Sequence, residues 1–233
     1  MRQIFVDSRD RITGTSCDFR IQVPETLVLE PGHRGRIDNL RVPQVFPTIQ
    51  TGVNDTITIR IGTNHTVTVA QGNYTGPGLA AAIQTALNQQ VGGGSNWTCS
   101  YDVANISMSM TCLTSNFVVV GGTLADKLMA HPYVYTNNRY VFSYVSVLGL
   151  DVLYLSSSKF ATIDTVGPQG SHDVLMCGIV DQDFGSVMTF SMPADVFFDI
   201  PAITTSDLDF QLRDRSYNVL SIVPNISFTI TIA

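Results

Sequence analysis

Apolar and polar residues alternate with a period of two along most of this chain. Thr56-Ile57-Thr58-Ile59-Arg60-Ile61, then Gly62-Thr63-Asn64-His65, then Thr66-Val67-Thr68-Val69 predict a hairpin with one apolar face. Trp97-Thr98-Cys99-Ser100-Tyr101 and Ile106-Ser107-Met108-Ser109-Met110 repeat the pattern about a turn at Asp102–Asn105. The clearest strand is Ile226-Ser227-Phe228-Thr229-Ile230-Thr231-Ile232, which predicts a C-terminal segment pinned inside a sheet. Further strands are expected at 17–23, 35–42, 117–120, 151–155, 174–180, 186–191, 196–200, 208–212 and 218–223.

Only two segments carry a helical period. Leu79, Ile83 and Leu87, with Ala82 and Ala86 between them, form an i, i+4, i+8 stripe over 78–90. Gly76-Pro77-Gly78 opens that helix and Gly92-Gly93-Gly94 ends it. A shorter helix is expected over Leu124–Ala130, with Thr123 as its N-cap and His131-Pro132 as its stop. About a dozen short strands punctuated by Pro and Gly, with two short inserted helices, predict an all-β fold: a single jelly roll or β-sandwich of antiparallel strands. No linker or composition break divides the chain. The reading is one domain over residues 1–233, with 123–160 as an excursion between strands.

Composition sharpens this picture. The chain has 233 residues, 44% hydrophobic and 14% charged, where an average soluble domain is about 25% charged. That excludes intrinsic disorder, which needs low hydrophobicity and high net charge. No apolar run approaches the roughly 20 residues of a membrane span. Charge appears within the first seven residues, so no signal peptide is expected, and the chain reads as made in the cytoplasm rather than secreted. Interface cores are depleted in Lys and Glu, and this chain has only two lysines, Lys127 and Lys159. Burial in a homo-oligomer is therefore expected.

Charge is unevenly placed. Residues 1–60 hold 8 Lys/Arg against 7 Asp/Glu, and the rest hold 5 against 12, for a net −6 overall. Seven arginines up to residue 41 face six acids, too weak an excess to make nucleic acid an expected partner. Cys17, Cys99, Cys112 and Cys177 show no CxxC spacing and are expected to stay reduced, although Cys99 and Cys112 fall on neighbouring strands of one hairpin. Six Asn-x-Ser/Thr sequons, at Asn54, Asn64, Asn73, Asn96, Asn105 and Asn225, read as by-products of Asn- and Thr-rich strands.

Catalytic motifs are missing from the sequence. There is no GxSxG, HExxH or phosphate loop, and His33, His65, His131 and His172 have no metal-ligand spacing. No cofactor or metal is expected. Asp181/Asp183 and Asp207/Asp209 each set two acids on one strand face, about 7 Å apart. Glycoside hydrolysis or Ca²⁺ binding uses such pairs, but turn chemistry at Asp183-Phe184-Gly185-Ser186 is the plainer account. Two clusters echo each other, Arg9-Asp10-Arg11 and Arg213-Asp214-Arg215. Alternation puts both guanidinium groups of each cluster on one side, where they can clamp carboxylates of a neighbouring subunit. Tyr133, Tyr135 and Tyr140 are candidate exposed aromatics, and they support an alternative reading as a viral attachment or glycan-binding β-sandwich.

Three blocks, in order, resemble a known family. The first is Val6-Asp7-Ser8-Arg9-Asp10-Arg11, Gly14-Thr15-Ser16 and Asp18-Phe19-Arg20-Ile21-Gln22-Val23-Pro24. The second is Gly72-Asn73-Tyr74-Thr75 before Leu79, Ile83 and Leu87-Asn88. The third is Asp207-Leu208-Asp209-Phe210-Gln211-Leu212-Arg213-Asp214, Val219 and the terminal Phe228-x-Ile230-x-Ile232 strand. Together they resemble the single jelly-roll penton, or minor capsid, proteins of virophages, Polinton-like elements and related double jelly-roll DNA viruses. The resemblance implies a virion protein that forms a homopentamer at the icosahedral vertices. Its implied partners are copies of itself and the major capsid protein, with a vertex fibre as a further candidate. It implies no catalytic residues.

Overall fold

The computed structural model describes the chain apart from residues 92–95, 129–131, 144, 146, 148, 161–164, 183 and 222–223; for 126–128 and 132–136 it describes the backbone alone. The chain opens with β1 (Arg2–Asp7), β2 (Thr13–Gly14), β3 (Asp18–Leu29) and β4 (Arg34–Pro43). Next come β5 (Thr56–Ile61), β6 (Thr63–Thr68), α1 (Gly76–Gln90), β7 (Trp97–Asp102), β8 (Ser107–Cys112) and β9 (Val118–Gly121). After α2 (Thr123–Leu128), β10 (Pro132–Thr136) and β11 (Arg139–Phe142) follow β12 (Val152–Ser156), β13 (Val174–Ile179) and β14 (Val187–Phe190). The last strands are β15 (Phe198–Asp199), β16 (Ile203–Arg213) and β17 (Ser227–Ile232).

The chain divides into two compact units, one made of Met1–Phe46 with Leu150–Ala233 and one of Pro47–Gly149. Where the sequence suggested an excursion over 123–160, the chain leaves the first unit at Pro47 and returns at Leu150. Each unit has its own apolar core.

In the first unit, one antiparallel sheet runs β1-β17-β4-β14, with β15 also on β4, and the other runs β13-β12-β16-β3-β2. The first and last strands of the chain pair along their whole length, from Arg2 opposite Ile232 to Asp7 opposite Ser227. Each sheet thus takes strands from both ends of the chain, and that wrapping defines a jelly roll. Alternate residues point inward: Phe19, Ile21 and Val23 of β3, Leu208, Phe210 and Leu212 of β16, Phe228, Ile230 and Ile232 of β17. Phe210 packs on Phe19 at 5.7 Å and on Phe228 at 4.9 Å, joining the two sheets. In β4 the inward parity shifts between Ile37 and Leu40. Asn39 absorbs the shift with φ +54°, and its amide donates to Ser191 Oγ at 2.9 Å. The strand expected at 218–223 does not form among its described residues, where Val219 makes one isolated bridge to Arg213.

The second unit holds a sheet β10-β11-β8-β7 and a sheet β6-β5-β9. Helix α1 starts two residues earlier than its apolar stripe, at the Thr75 N-cap, whose side chain accepts from Gly78 N. It buries Leu79, Ile83 and Leu87 against Trp97, Phe117 and the inner faces of both sheets. Its side-chain amides stand in for missing strands. Trp97 N donates to Asn88 Oδ1 at 3.0 Å and Cys99 N to Gln84 Oε1 at 2.9 Å, along edge strand β7. Thr68 N donates to Gln90 Oε1 at 2.8 Å on edge strand β6, and Gln90 Nε2 returns a bond to Thr68 O at 2.7 Å. An uncovered strand edge invites another chain, and the helix closes two of them. The second expected helix appears as α2, while Met129 and Ala130, to which the expectation extended, lie outside the described residues.

Candidate functional site

The N-terminal arginine cluster sits on a turn of 3₁₀-helix, Ser8–Asp10, directly after β1. Asp7 caps the turn by accepting from Arg9 N at 2.9 Å, and Arg9 Nε reaches both Asp7 oxygens at 3.0 Å. That hydrogen bond from Arg9 holds the Asp7 carboxyl below its ordinary range, and the Asp7 carboxylate raises the Arg9 guanidinium in turn. Arg11 Nη1 donates to Ser8 O at 2.7 Å, and Asp10 is exposed. The cluster is thus a stiff turn with three solvent-facing charges.

The second cluster closes the loop after β16. Asn218 N donates to Asp214 Oδ1 at 2.8 Å. Arg213 donates to Tyr217 O at 2.8 Å, to Ser156 Oγ at 3.2 Å and to Gln211 Oε1, while its guanidinium lies 4.3 Å from the Tyr217 ring centre. The Tyr217 hydroxyl donates to Asp173; burial first and this bond second raise its pKa. Arg215 pairs with Asp151 at 3.2 Å. Every charged group of this cluster therefore has a partner within its own chain. The alternation read in the sequence builds a local brace that stiffens one loop.

The acid pairs are similarly engaged. Asp209 accepts from Ser158 N at 3.0 Å and Lys159 N at 3.2 Å, which clasps the loop after β12. Asp207 lies 3.9 Å from Lys159 Nζ. Asp181 is exposed and accepts from Gln182, and its expected companion Asp183 lies outside the described residues. No group of three His, Cys, Asp or Glu able to hold a metal ion occurs among the described residues.

Tyr140 corrects the sequence reading of exposed aromatics. It is only 6% exposed, packed between Phe117 at 6.2 Å and Phe142 at 5.2 Å, because β11 turns that face into the core of the second unit. The Tyr133 and Tyr135 side chains lie outside the described residues. None of the four cysteines forms a disulfide. Cys112 stands opposite Trp97 and Cys99 opposite Met110, two residues out of register. Diagonal positions of that kind are about 7–8 Å apart, beyond disulfide reach.

A feature the candidate residues missed lies at the sheet edges of the first unit. Strands β1 and β14 end one sheet and β13 ends the other, each with one backbone edge unpaired within its sheet. Phe5 of β1 is 78% exposed, Ile179 of β13 69% and Val187 of β14 60%. Of the interior strands, β17, β4, β12 and β16 expose no large hydrophobic side chain, while β3 exposes Val28 beyond the two residues that β2 covers. In the sequence these three were simply apolar residues at outward positions of their strands; only sheet order shows that they share the margins.

No protein-family model matches the sequence, and no curated protein sequence matches it. Solved structures do match in fold. The crystal structure of the selenomethionine-labelled mavirus penton protein superposes with a TM-score of 0.54 over 100% of this chain and 99% of that one, at 10% sequence identity. The chain shares the fold of that protein. A chain in the cryo-EM structure of the Sputnik virophage matches 99% of this chain and 97% of its own length, at 12% identity and a TM-score of 0.42. The penton likeness takes in both units, because it runs through residues 47–149 as well as through the two jelly-roll sheets.

Proposed function

We propose that this chain is a structural virion protein, a penton or minor capsid subunit that closes the five-fold vertices of an icosahedral shell as a homopentamer. The observation that carries the reading is the jelly-roll order β1-β17-β4-β14 over β13-β12-β16-β3, within a fold shared end to end with the mavirus penton protein. The three sequence blocks resembling penton proteins support it independently. In this reading the chain contacts the major capsid protein, is made in the host cytoplasm and ends in the capsid. Its role is assembly, with no chemical step.

Light scattering after size exclusion, followed by electron microscopy, tests it. A species near five times 25.4 kDa that forms five-fold rings is the expected result. A stable trimer would overturn the reading and move the chain to an attachment or fibre role.

A further inference from the structure

In the second unit the apolar core stops short of the elements that build it. Ile57 and Ile59 of β5 are fully buried, while Ile61, the next residue on the same face, is half-buried. Along α1 the stripe Leu79, Ile83, Leu87 is fully buried, and its next position, Val91, is again half-buried. The third inward series reads back from Val69 and Val67, both buried, to His65 on β6, which pairs with Ile59. A polar, half-buried side chain thus stands where the pattern would place a core residue.

All three positions line one cavity of about 370 Å³, toward the small end of the roughly 300–1,000 Å³ range of small-molecule sites. Ile61, Val91 and the almost fully buried Trp97 give it apolar surface. His65, Asn96, Thr114 and Ser115 bring side-chain hydrogen-bonding groups to it. Leu113 N donates to Asn96 O at 2.7 Å, which ties together the two segments that carry the last three. Among the described residues no Asp, Glu, Lys or Arg lines the cavity.

We propose that this cavity binds a neutral sugar ring. A phosphate or carboxylate would find no ammonium or guanidinium there, and a cation no carboxylate, so either would lose its hydration without a counter-charge. A hydrocarbon would strand the polar side chains away from water. A pyranose suits both parts of the lining, because its hydroxyls donate and accept while its C–H faces pack on apolar surface. A free sugar and the end of a glycan chain share that chemistry. The inference stands apart from the penton reading, since it concerns only residues 47–149 and not assembly.

Trp97 is the only tryptophan of the chain, so its fluorescence reports on this cavity directly. The full-length protein is titrated with glucose, galactose, mannose, N-acetylglucosamine and lactose, and with inorganic phosphate, sialic acid and benzene for comparison. At least one neutral sugar should change the Trp97 emission saturably, and the three comparison probes should not. Two variants locate the binding: Thr114→Arg, at an exposed position where a long side chain blocks the cavity, and His65→Leu, which removes a polar wall. Each should weaken the sugar by about tenfold or more, the equivalent of about one hydrogen bond. Circular dichroism melting checks that both stay folded. Lactose bound more tightly than galactose assigns the cavity to a chain end, and the reverse order to a free sugar; both results keep the proposal. Silence with all five sugars, saturation by a charged or apolar probe instead, or sugar binding untouched by both variants overturns it. None of these failures alters the oligomer, so the penton reading stands or falls separately.

Discussion

Cys177 is the only exposed cysteine of the four, on edge strand β13 beside Tyr154. Burial pushes the Cys99 thiol up to about 12 and also raises that of Cys177, so neither is a ready thiolate at neutral pH. Alkylation of the native protein is expected to modify Cys177 alone, slowly, and denaturant should release the other three; intact mass counts the adducts. Modification of Cys112 in the native state would contradict the packing of the second unit. The β7–β8 hairpin carries a second residue-scale test. Ile106 sits at φ +50°, a conformation that costs an L-residue about 1–2 kcal/mol and a β-branched one most. Asn tolerates it, and the Ile106 side chain is exposed, so Ile106→Asn should stabilise the protein by about 1 kcal/mol in urea unfolding. The same turn is held by Asp102, whose carboxyl accepts from Ala104 N and from Asn105, and the Asn105 side-chain bond holds it below its ordinary 3.8. A carboxyl depressed by folding adds stability above its unfolded pKa and loses it as pH falls through the folded value. The Asp102 carbon resonance should therefore titrate below 3.8, and Asn105→Ala should move the midpoint up; an unchanged midpoint would assign the shift elsewhere.

At the scale of elements, local pattern was enough for some structure and silent on the rest. Helix α1 was legible because Leu79, Ile83 and Leu87 mark its buried face and Gly76-Pro77 its start. Strands β8 and β17 were legible because one face is apolar and the other is Thr or Ser, and β5 because Ile alternates with Thr and Arg. Strand β1 was not, since Ile4 and Phe5 break the alternation and Phe5 faces outward. Nor could β10 and β11 be read, because Tyr140 looks like an exposed aromatic until β11 is known to pair with β8. Sheet order depends on contacts far apart in sequence, which no local period encodes. The amides that α1 lends to the strand edges were equally hidden, because Asn88 and Gln90 read as an ordinary polar helix face. They give a direct test. Asn88→Ala strands the Trp97 N–H and C=O beside the helix, and leaving a buried polar group unpaired costs about 1–3 kcal/mol. Calorimetry should show that loss; a cost below about 0.5 kcal/mol, the range of ordinary surface changes, would mean that water replaces the amide.

For the whole molecule, the sequence reading gives the arginine turn after β1 to a contact between subunits, and charge reversal probes that expectation. Arg9→Glu with Arg11→Glu should weaken the oligomer at about 0.15 M salt, where charges beyond roughly 8 Å are screened and only close contacts count. Light scattering reads the change, and assembly equal to wild type would exclude the turn from the contact. The division into two units yields the last expectation. Residues 47–149 enclose a core of their own, built on Trp97, Phe117, Met108 and the α1 stripe, and none of those side chains belongs to the jelly-roll core. The ends of the segment are held together, since Thr48 Oγ1 donates to Val147 O at 2.9 Å. A segment whose ends meet and whose core is complete is the kind that tolerates excision. It is also large enough to fold, because domains of about 60 residues already do so alone. Expressed by itself, 47–149 should give a strand-rich circular dichroism spectrum and a single cooperative melt. The converse deletion, with a short Gly/Ser link from Phe46 to Leu150, should keep the jelly roll folded because both of those residues lie in its core. If the excised segment is unfolded while the full chain melts in one transition, the two cores are one cooperative unit.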